Sequence, residues 1–276
     1  MSALIACDLD RTLIYSDRSF GAATTDRVCV EYYNGSPLSF MTAQAVTGLR
    51  ALAAGGLVVP ATTRTIAQYQ RIDLPGSPFR YAVTSNGGNI LVDSVADADW
   101  SAGMASRIND GGPPLQDIVA ALQDRISSEW VHSLRVAEDL FCYLVVVEDK
   151  LPRGFVDDWA GWCAERGWVV SRQGRKIYAV PEALRKSYAV AEVRRRLADE
   201  GRLSDAAPLL AAGDGALDVD LLSYADQSIR PAHGELHALD WRSPELVVTA
   251  ASGAAAAEEI LAWLAKRAGV PSRSCQ

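Results

Sequence analysis

The sequence predicts an α/β fold, in which a doubly wound, mostly parallel sheet carries an inserted α+β cap domain. Two observations lead to this prediction. Short apolar runs alternate with helical patterns near both ends of the 276-residue chain, which is typical of a parallel sheet covered by helices. Residues 89–180 instead show a helix followed by two strands, twice, which indicates a separate open-faced sheet. We therefore expect a core formed by residues 1–88 and 181–276 and a cap formed by residues 89–180.

The first part of the core is predicted from apolar runs and turn signals. The chain opens with an apolar run that is typical of a buried strand. Asn34-Gly35 lies between two strand-like runs, which is a strong signal for a hairpin. A helical pattern then ends at Gly55-Gly56, as helices commonly end at glycine. The predicted elements are the strands 3–7, 28–33, 36–40, 57–61 and 81–84, and the helix 42–54.

The cap and the second part of the core follow from the same signals. Residues 94–113 are rich in Asp, Ser and Gly, and Gly111-Gly-Pro-Pro114 indicates a break in regular structure. The predicted cap elements are the helices 115–127 and 154–166 and the strands 131–137, 140–147, 168–172 and 176–180. The predicted core elements beyond the cap are the helices 183–199, 217–224 and 253–267 and the strands 207–212, 227–230 and 246–249.

Composition narrows the class of protein. The formal net charge is −7, and an acidic chain repels nucleic acids and anionic membranes. The five cysteines form no Cys-x-x-Cys pair, which argues against a disulfide framework or a structural zinc site. The first apolar run is interrupted at once by Asp8 and Asp10, unlike a signal peptide. We expect a cytoplasmic protein with neither a nucleic-acid nor a membrane partner, and the sequence leaves the oligomeric state open.

Polar side chains follow the predicted core strands at the points where these strands end. In open α/β sheets, ligands bind beyond the carboxyl ends of the strands. Four carboxylates, several hydroxyl groups and one ammonium are therefore expected to meet at one edge of the sheet. The segments concerned are Asp8-Leu-Asp-Arg-Thr12, Thr62-Thr-Arg64 and Gly213-Asp214-Gly-Ala-Leu-Asp218, with Lys186 early in the helix that returns from the cap.

In order along the chain, these residues resemble the four motifs of the haloacid dehalogenase superfamily of phosphohydrolases. The Asp8 segment resembles the first motif, Thr62 the second, Lys186 the third, and the pair Asp214 and Asp218 the fourth. The insert after the third core strand resembles the cap of the Cof-type and sucrose-phosphatase-like branch. Two further segments that resemble this branch are Ala61-Thr-Thr-Arg64 and Thr84-Ser-Asn-Gly87.

The resemblance implies a magnesium-dependent phosphomonoesterase that acts on a small phosphorylated metabolite, such as a sugar phosphate, through an aspartyl-phosphate on Asp8. Magnesium is physically reasonable here, because carboxylates repel a phosphate dianion unless a cation lies between them. Asp10 is expected to protonate the leaving oxygen and then to deprotonate water. Thr62 and Lys186 are expected to bind the transferring phosphoryl group.

The resemblance also assigns ligands and substrate contacts. The implied metal site consists of Asp8, the backbone carbonyl of Asp10 and Asp214, and Asp218 either lies near a metal-bound water or orients Lys186. The candidate substrate contacts in the core are Thr12, Thr63, Arg64 and Asn86. In the cap, Arg172, Arg175 and Lys176 are either substrate contacts or a solvated strand edge.

Some residues depart from the family pattern and leave alternatives open. Leu217 stands where the fourth motif usually has Asn, while Thr63 and Ser187 stand where Gly is usual. Leu217 motivates one alternative, a catalytically weak binding or regulatory protein. A phosphomutase is a second alternative, because it shares all four motifs. The hairpin around Asn34-Gly35 is longer than the usual flap and is expected to contribute to selectivity, while the identity of the substrate stays open.

Overall fold

The computed structural model describes residues 3–21 and 26–270 of the chain. Within these ranges the strands are β1 (Leu4–Cys7), β2 (Arg27–Tyr33), β3 (Ser36–Thr42), β4 (Leu57–Pro60), β5 (Tyr81–Thr84), β6 (Asn89–Val92), β7 (Val95–Ala96), β8 (Val131–Ala137), β9 (Phe141–Val146), β10 (Trp168–Gln173), β11 (Lys176–Pro181), β12 (Leu209–Ala212), β13 (Gln227–Arg230) and β14 (Leu246–Val248). The helices are α1 (Ala43–Gly55), α2 (Ile66–Tyr69), α3 (Ala98–Asp110), α4 (Leu115–Gln123), α5 (Phe155–Ala164), α6 (Lys186–Asp199), α7 (Val219–Tyr224), α8 (Glu235–Ala238) and α9 (Ala254–Ala268).

The central sheet has five parallel strands in the order β14-β13-β12-β1-β4. Successive side chains of β1 point to opposite faces. Ile5 and Cys7 pack in one apolar cluster with α1 and α9, whereas Leu4 and Ala6 pack in another with α6 and α7. Both faces are therefore buried under helices, as parallel sheets require. The doubly wound α/β fold predicted from the sequence is confirmed.

A second sheet is antiparallel, in the order β10-β11-β9-β8. One face carries Leu144 and Ile177, which pack with α4 and α5 in a single apolar cluster. The opposite face carries Tyr143 and Tyr178, which lie directly across from each other on β9 and β11. The division of the chain into a core and a cap at residues 88/89 and 180/181 stays a prediction.

Three elements between β5 and α4 were not predicted. β6 pairs antiparallel with β5, and the short strand β7 pairs with β6. The segment 94–113, predicted as irregular, contains α3. The side chain of Asp97 accepts a hydrogen bond from Trp100 N and caps this helix. Trp100, Met104 and Ile108 pack in the apolar cluster of the second sheet. Their spacing of four residues is typical of a helix, but the Asp- and Ser-rich composition of the segment led to the prediction of irregular structure.

Two expectations from composition concern membranes and thiols. Across the described ranges, no helix has the length and apolar character needed to cross a bilayer. Cys7, Cys29, Cys142 and Cys163 are free thiols, and Cys275 lies outside the described residues. Cys7 and Asp8 are neighbours, and burial raises the pKa of the Cys7 thiol far above its ordinary value, so this thiol is protonated beside the site.

Candidate active site

Three aspartates gather where the two central strands end. Asp8 follows β1 and Asp214 follows β12, and these parallel strands are neighbours. Asp218 lies in the 3-10 turn just beyond Asp214. One carboxylate oxygen from each aspartate lies within 4.8 Å of the other two, and all three residues are buried. The carboxylate cluster predicted from the sequence is therefore present at the carboxyl edge of the sheet.

Lys186 joins two of these aspartates. It is the first residue of α6, and its Nζ donates hydrogen bonds to Asp8 Oδ1 at 2.7 Å and to Asp218 Oδ1 at 2.6 Å. Burial alone would lower the pKa of this ammonium, but the two carboxylates outweigh burial and raise its pKa above the ordinary value. Lys186 is therefore a fixed, fully charged cation beside the predicted nucleophile.

Asp218 organises the loop that carries Asp214. Its Oδ2 accepts hydrogen bonds from the backbone N–H groups of Asp214 at 3.0 Å and Gly215 at 2.9 Å, while its Oδ1 binds Lys186. Both oxygens are thus already engaged, which favours the role of orienting Lys186. Its assignment as a metal ligand stays a prediction. Leu217 packs in the apolar cluster of the second sheet, and backbone N–H groups of the loop donate to Asp218 and to Glu235.

Asp214 carries two buried carboxylate oxygens that have no hydrogen-bond partner within the part of the chain that the structure describes. Arg11 Nε lies 3.5 Å from Oδ2 and also lacks a hydrogen bond. Burial, followed by the charges of Asp8 and Asp218, raises the pKa of Asp214 well above its ordinary value. A buried carboxylate without partners is costly. Oxygen ligands of this kind suit Mg²⁺, so the residues present fit the predicted cation.

Asp8 is buried and held from two directions. Oδ1 accepts from Lys186, and Oδ2 accepts from Thr12 Oγ1 at 3.2 Å. Burial raises the pKa of Asp8 to about 7, an increase that Lys186 opposes and Asp218 reinforces. Thr12 is fully buried, and this hydrogen bond places it against Asp8. Its assignment as a substrate contact stays a prediction.

Asp10 forms a bidentate ion pair with Arg64. Arg64 Nε donates to Asp10 Oδ2 at 2.7 Å, and Nη2 donates to Oδ1 at 2.8 Å. Burial would raise the pKa of Asp10, but the guanidinium outweighs it and lowers this pKa to about 2. The observed Asp10 is therefore an ionised carboxylate, the form expected of a base. Acting as an acid requires a looser contact with Arg64, and the assignment of Arg64 as a substrate contact stays a prediction.

Thr62 and Thr63 lie in the turn after β4. Thr62 is fully buried, and its Oγ1 accepts a hydrogen bond from Arg64 N at 3.1 Å. Thr63 is also buried and lies near the phenol of Tyr178, which is on β11 of the second sheet. The turn thus connects Asp10, through Arg64, with the sheet that covers it. The roles assigned to both threonines stay predictions.

Asn86 supports the segment that leads to Lys186. Its Nδ2 donates to Leu184 O at 2.8 Å. The next residue, Gly87, has a φ of +99° and packs so closely that a Cβ atom there would lie 2.3 Å from Arg185 O. Only glycine fits such a conformation and contact without strain. The observed contacts of Asn86 are therefore with the segment before α6, while its assignment as a substrate contact stays a prediction.

The second sheet brings residues over Asp10 that the motifs do not reveal. Lys176 Nζ lies 5.7 Å from the ring centroid of Tyr143 and 5.9 Å from that of Tyr178. Tyr178 and then Asp10 raise the pKa of Lys176, although burial and Arg64 oppose them. The sequence analysis named Lys176 but neither tyrosine. Both tyrosines are buried among other buried residues of β9 and β11, so the sequence pattern gave no signal that singled them out.

Two glutamates that were not predicted join the second sheet to the core. Glu235, on α8, accepts hydrogen bonds from Ser171 Oγ at 2.6 Å, Arg172 N at 2.9 Å and Ala216 N at 2.9 Å. It thereby ties β10 to the loop that carries Asp214. On the other side of the sheet, Glu138 accepts from Ile66 N at 2.9 Å and from Asn89 Nδ2 at 2.8 Å. No motif indicates either residue, because both contacts depend on how the two sheets pack.

Solved structures with the same architecture are known, although no family model and no curated protein sequence gives a significant match. A sucrose-phosphatase from Synechocystis sp., solved with sucrose and phosphate, has a TM-score of 0.64 and 16% identity, over 96% of this chain and 98% of that chain. A subclass IIB sugar phosphatase of the haloacid dehalogenase superfamily has a TM-score of 0.56 and 12% identity, over 98% and 100% of the two chains. A phosphatase of this superfamily from Bacteroides thetaiotaomicron has a TM-score of 0.52 and 14% identity, over 98% and 96%.

These likenesses extend over nearly the whole chain, so they include both the parallel sheet and the antiparallel sheet that covers its edge. At such low identity they concern the architecture alone. The chain therefore has the fold of the phosphatases of the haloacid dehalogenase superfamily.

Proposed function

We propose that this protein is a magnesium-dependent phosphomonoesterase that acts on a sugar phosphate or a related small phosphorylated metabolite. The observation that carries the proposal is the buried carboxylate of Asp214, which has no hydrogen-bond partner among the described residues and lies next to Asp8, itself paired with a buried lysine. This arrangement suits a divalent cation and a nucleophile in one cleft. Asp8, Asp214 and the backbone carbonyl of Asp10 would hold Mg²⁺, which would neutralise charge on the phosphoryl group.

Each of the site residues then has a separate role in hydrolysis. Asp8 attacks phosphorus, and its bond to phosphorus forms as the ester bond to the leaving oxygen breaks. Lys186 and Thr62 bind the oxygens of the transferring group. Asp10 supplies a proton to the leaving oxygen and later accepts one from the water that hydrolyses the aspartyl-phosphate. The contacts of Lys186 with Asp8 and Asp218 support its place in this scheme, because they align it with the nucleophile.

The leaving group is proposed to lie between Asp10 and the second sheet. Lys176, Tyr143 and Tyr178 line that side. Hydroxyl groups, an ammonium and aromatic faces suit a polyhydroxylated molecule, because they offer both hydrogen bonds and apolar contact. The sucrose-phosphatase with this fold was solved with sucrose and phosphate, which supports a sugar phosphate as the class of substrate. The hydrogen bonds that Asp218 accepts from the backbone of the Asp214 loop weaken the argument from Leu217 for an inactive protein.

The proposal is tested by phosphate release from a panel that includes glucose 6-phosphate, sucrose 6-phosphate, trehalose 6-phosphate and p-nitrophenyl phosphate, with Mg²⁺ and with EDTA. We expect release only with Mg²⁺, and we expect Asp8→Asn to lower turnover by at least about 10³-fold with an unchanged melting temperature. Asp17→Asn, an exposed aspartate after the same strand, is the matched control and should retain full activity. Comparable activity of Asp8→Asn, or no release from any ester, contradicts the proposal.

A further inference from the structure

The β2–β3 hairpin buries a carboxylate next to the site. The side chain of Glu31, on β2, has no exposed surface. Its Oε2 accepts hydrogen bonds from Arg64 Nη1 at 2.8 Å and from Ser39 Oγ at 2.6 Å, and its Oε1 accepts from Arg71 Nη2 at 3.0 Å. A buried carboxylate is tolerated only when it is paired and hydrogen-bonded. The surroundings of Glu31 are therefore a built site that holds one particular carboxylate.

A β-bulge directs Glu31 toward Arg64. Neighbouring side chains of a regular strand point to opposite faces, yet Val30 and Glu31 are both buried. The pairing of β2 with β3 shifts on either side of Glu31, and bulges of this kind redirect a side chain close to functional sites. The hairpin was expected to act as a flap over the site, but its buried contact with the site is made through Glu31 and Arg64.

Arg64 lies between two carboxylates. Its Nε and Nη2 bind Asp10, while its Nη1 binds Glu31. The guanidinium is planar and rigid, so a contact that fixes Nη1 also fixes the directions of the other two nitrogens. The Arg64 side chain is only 9% exposed, and water is therefore a poor substitute for Glu31. The orientation of the Asp10 carboxyl group depends on Glu31 through this guanidinium.

We propose that Glu31 is a positioning residue for the leaving-group side of the reaction, acting on Asp10 through Arg64. This inference rests on the proposed function. As the ester bond from phosphorus to the leaving oxygen breaks and the bond from Asp8 to phosphorus forms, the proton of the Asp10 carboxyl group passes to the leaving oxygen. While Asp10 carries that proton, its contact with Arg64 is looser, and Glu31 holds the guanidinium in place through Nη1.

The test compares two kinds of ester in Glu31→Gln. A sugar ester releases an alkoxide that needs a proton, whereas p-nitrophenyl phosphate releases a stabilised phenolate that does not. For the most active of glucose 6-phosphate, sucrose 6-phosphate and trehalose 6-phosphate, we expect kcat/KM, which reports the steps up to formation of the aspartyl-phosphate, to fall about 10- to 100-fold. For p-nitrophenyl phosphate we expect kcat/KM to change by less than about threefold. Equal losses on both esters overturn the proposal, since loss of folded protein lowers both rates alike.

Two further variants keep the test decisive. Glu192→Gln removes a carboxylate that forms ion pairs with Arg195 and Arg196 on α6, away from the site, and should leave both rates unchanged. Ser39→Ala removes a hydroxyl group that donates to Glu31 Oε2 and accepts from Arg64 Nη2, so it should give the same selective loss at a smaller size even if Glu31→Gln fails to fold. A Ser39→Ala enzyme with unchanged selectivity overturns the proposal. If the wild-type protein hydrolyses neither ester, the proposed function itself is contradicted. This outcome is distinguishable from failure of the Glu31 proposal, because it is seen in the wild type before any variant is compared.

Discussion

The two sides of the cleft differ in how the chain builds them. On the side proposed to bind phosphate (the phosphate side), Asp8 and Asp218 contact Lys186 and lie close to Asp214, near the ends of two neighbouring parallel strands. On the side proposed to face the leaving group (the leaving-group side), Asp10 is held by Arg64, which also binds Glu31 from a bulged hairpin. The first side is fixed by the central sheet. The second is assembled partly from the β2–β3 hairpin, which lies outside the central sheet, so under the proposed function it is the side on which substrate preference can change without loss of the fold.

The largest effect is expected on the phosphate side, from Lys186→Met. This change leaves Asp8 and Asp218 buried without their cation, and breaking a buried ion pair costs about 3–5 kcal/mol. We expect the free energy of unfolding at neutral pH to fall by about that amount, with a loss of turnover. The loss of stability should shrink as pH falls, because protonation removes the unpaired charges. Urea denaturation at two pH values measures the free energy of unfolding. A variant as stable as the wild type at neutral pH would contradict the contribution of this ion pair.

A smaller effect is expected where the second sheet meets the core, from Glu235→Gln. The glutamate accepts three hydrogen bonds that join β10 to the Asp214 loop, and the amide retains only one oxygen as an acceptor. We expect a loss of about 1–3 kcal/mol in the free energy of unfolding and a rise of a few fold in KM. Steady-state kinetics and denaturation, with Glu192→Gln as the control, measure both. A fall in kcat at constant KM would indicate that Glu235 acts on the chemical step. The assignment of the chemical step to the phosphate and leaving-group sides alone would then be wrong.

The residues of the phosphate side could be predicted from the sequence, because their proximity follows from the positions of the strands. Residues that follow neighbouring parallel strands meet at one edge, so Asp8 and Asp214 could be expected together before any coordinates. The position of Lys186 could also be predicted, provided that the helix after the cap begins at the same edge of the sheet. The parallel sheet was predictable for a related reason, since apolar runs that alternate with amphipathic helices favour one architecture.

The leaving-group side depends on features that leave weak traces in sequence. The bulge that buries Glu31 shifts the alternation of β2 by a single residue. The alternation of a regular strand alone would place the Glu31 side chain on the opposite face. The ion pair between Asp10 and Arg64 joins two motifs that the resemblance treats separately. Tyr143 and Tyr178 reach the site only because of how the antiparallel sheet packs over the core. Contacts that depend on packing between distant segments cannot be derived from local periodicity.

The central claim is that Asp8 and Asp214 together bind a divalent cation, and isothermal titration of Mg²⁺ into the wild type and Asp214→Asn tests it most directly. Burial raises the pKa of Asp8 to about 7 and that of Asp214 well above its ordinary value. Protons and Mg²⁺ therefore compete for the same oxygens, and affinity should rise with pH from about pH 5 to about pH 8, with protons released on binding. Asp214→Asn should bind at least about tenfold more weakly. Equal affinity in the variant, or an affinity that does not change with pH, would contradict the account.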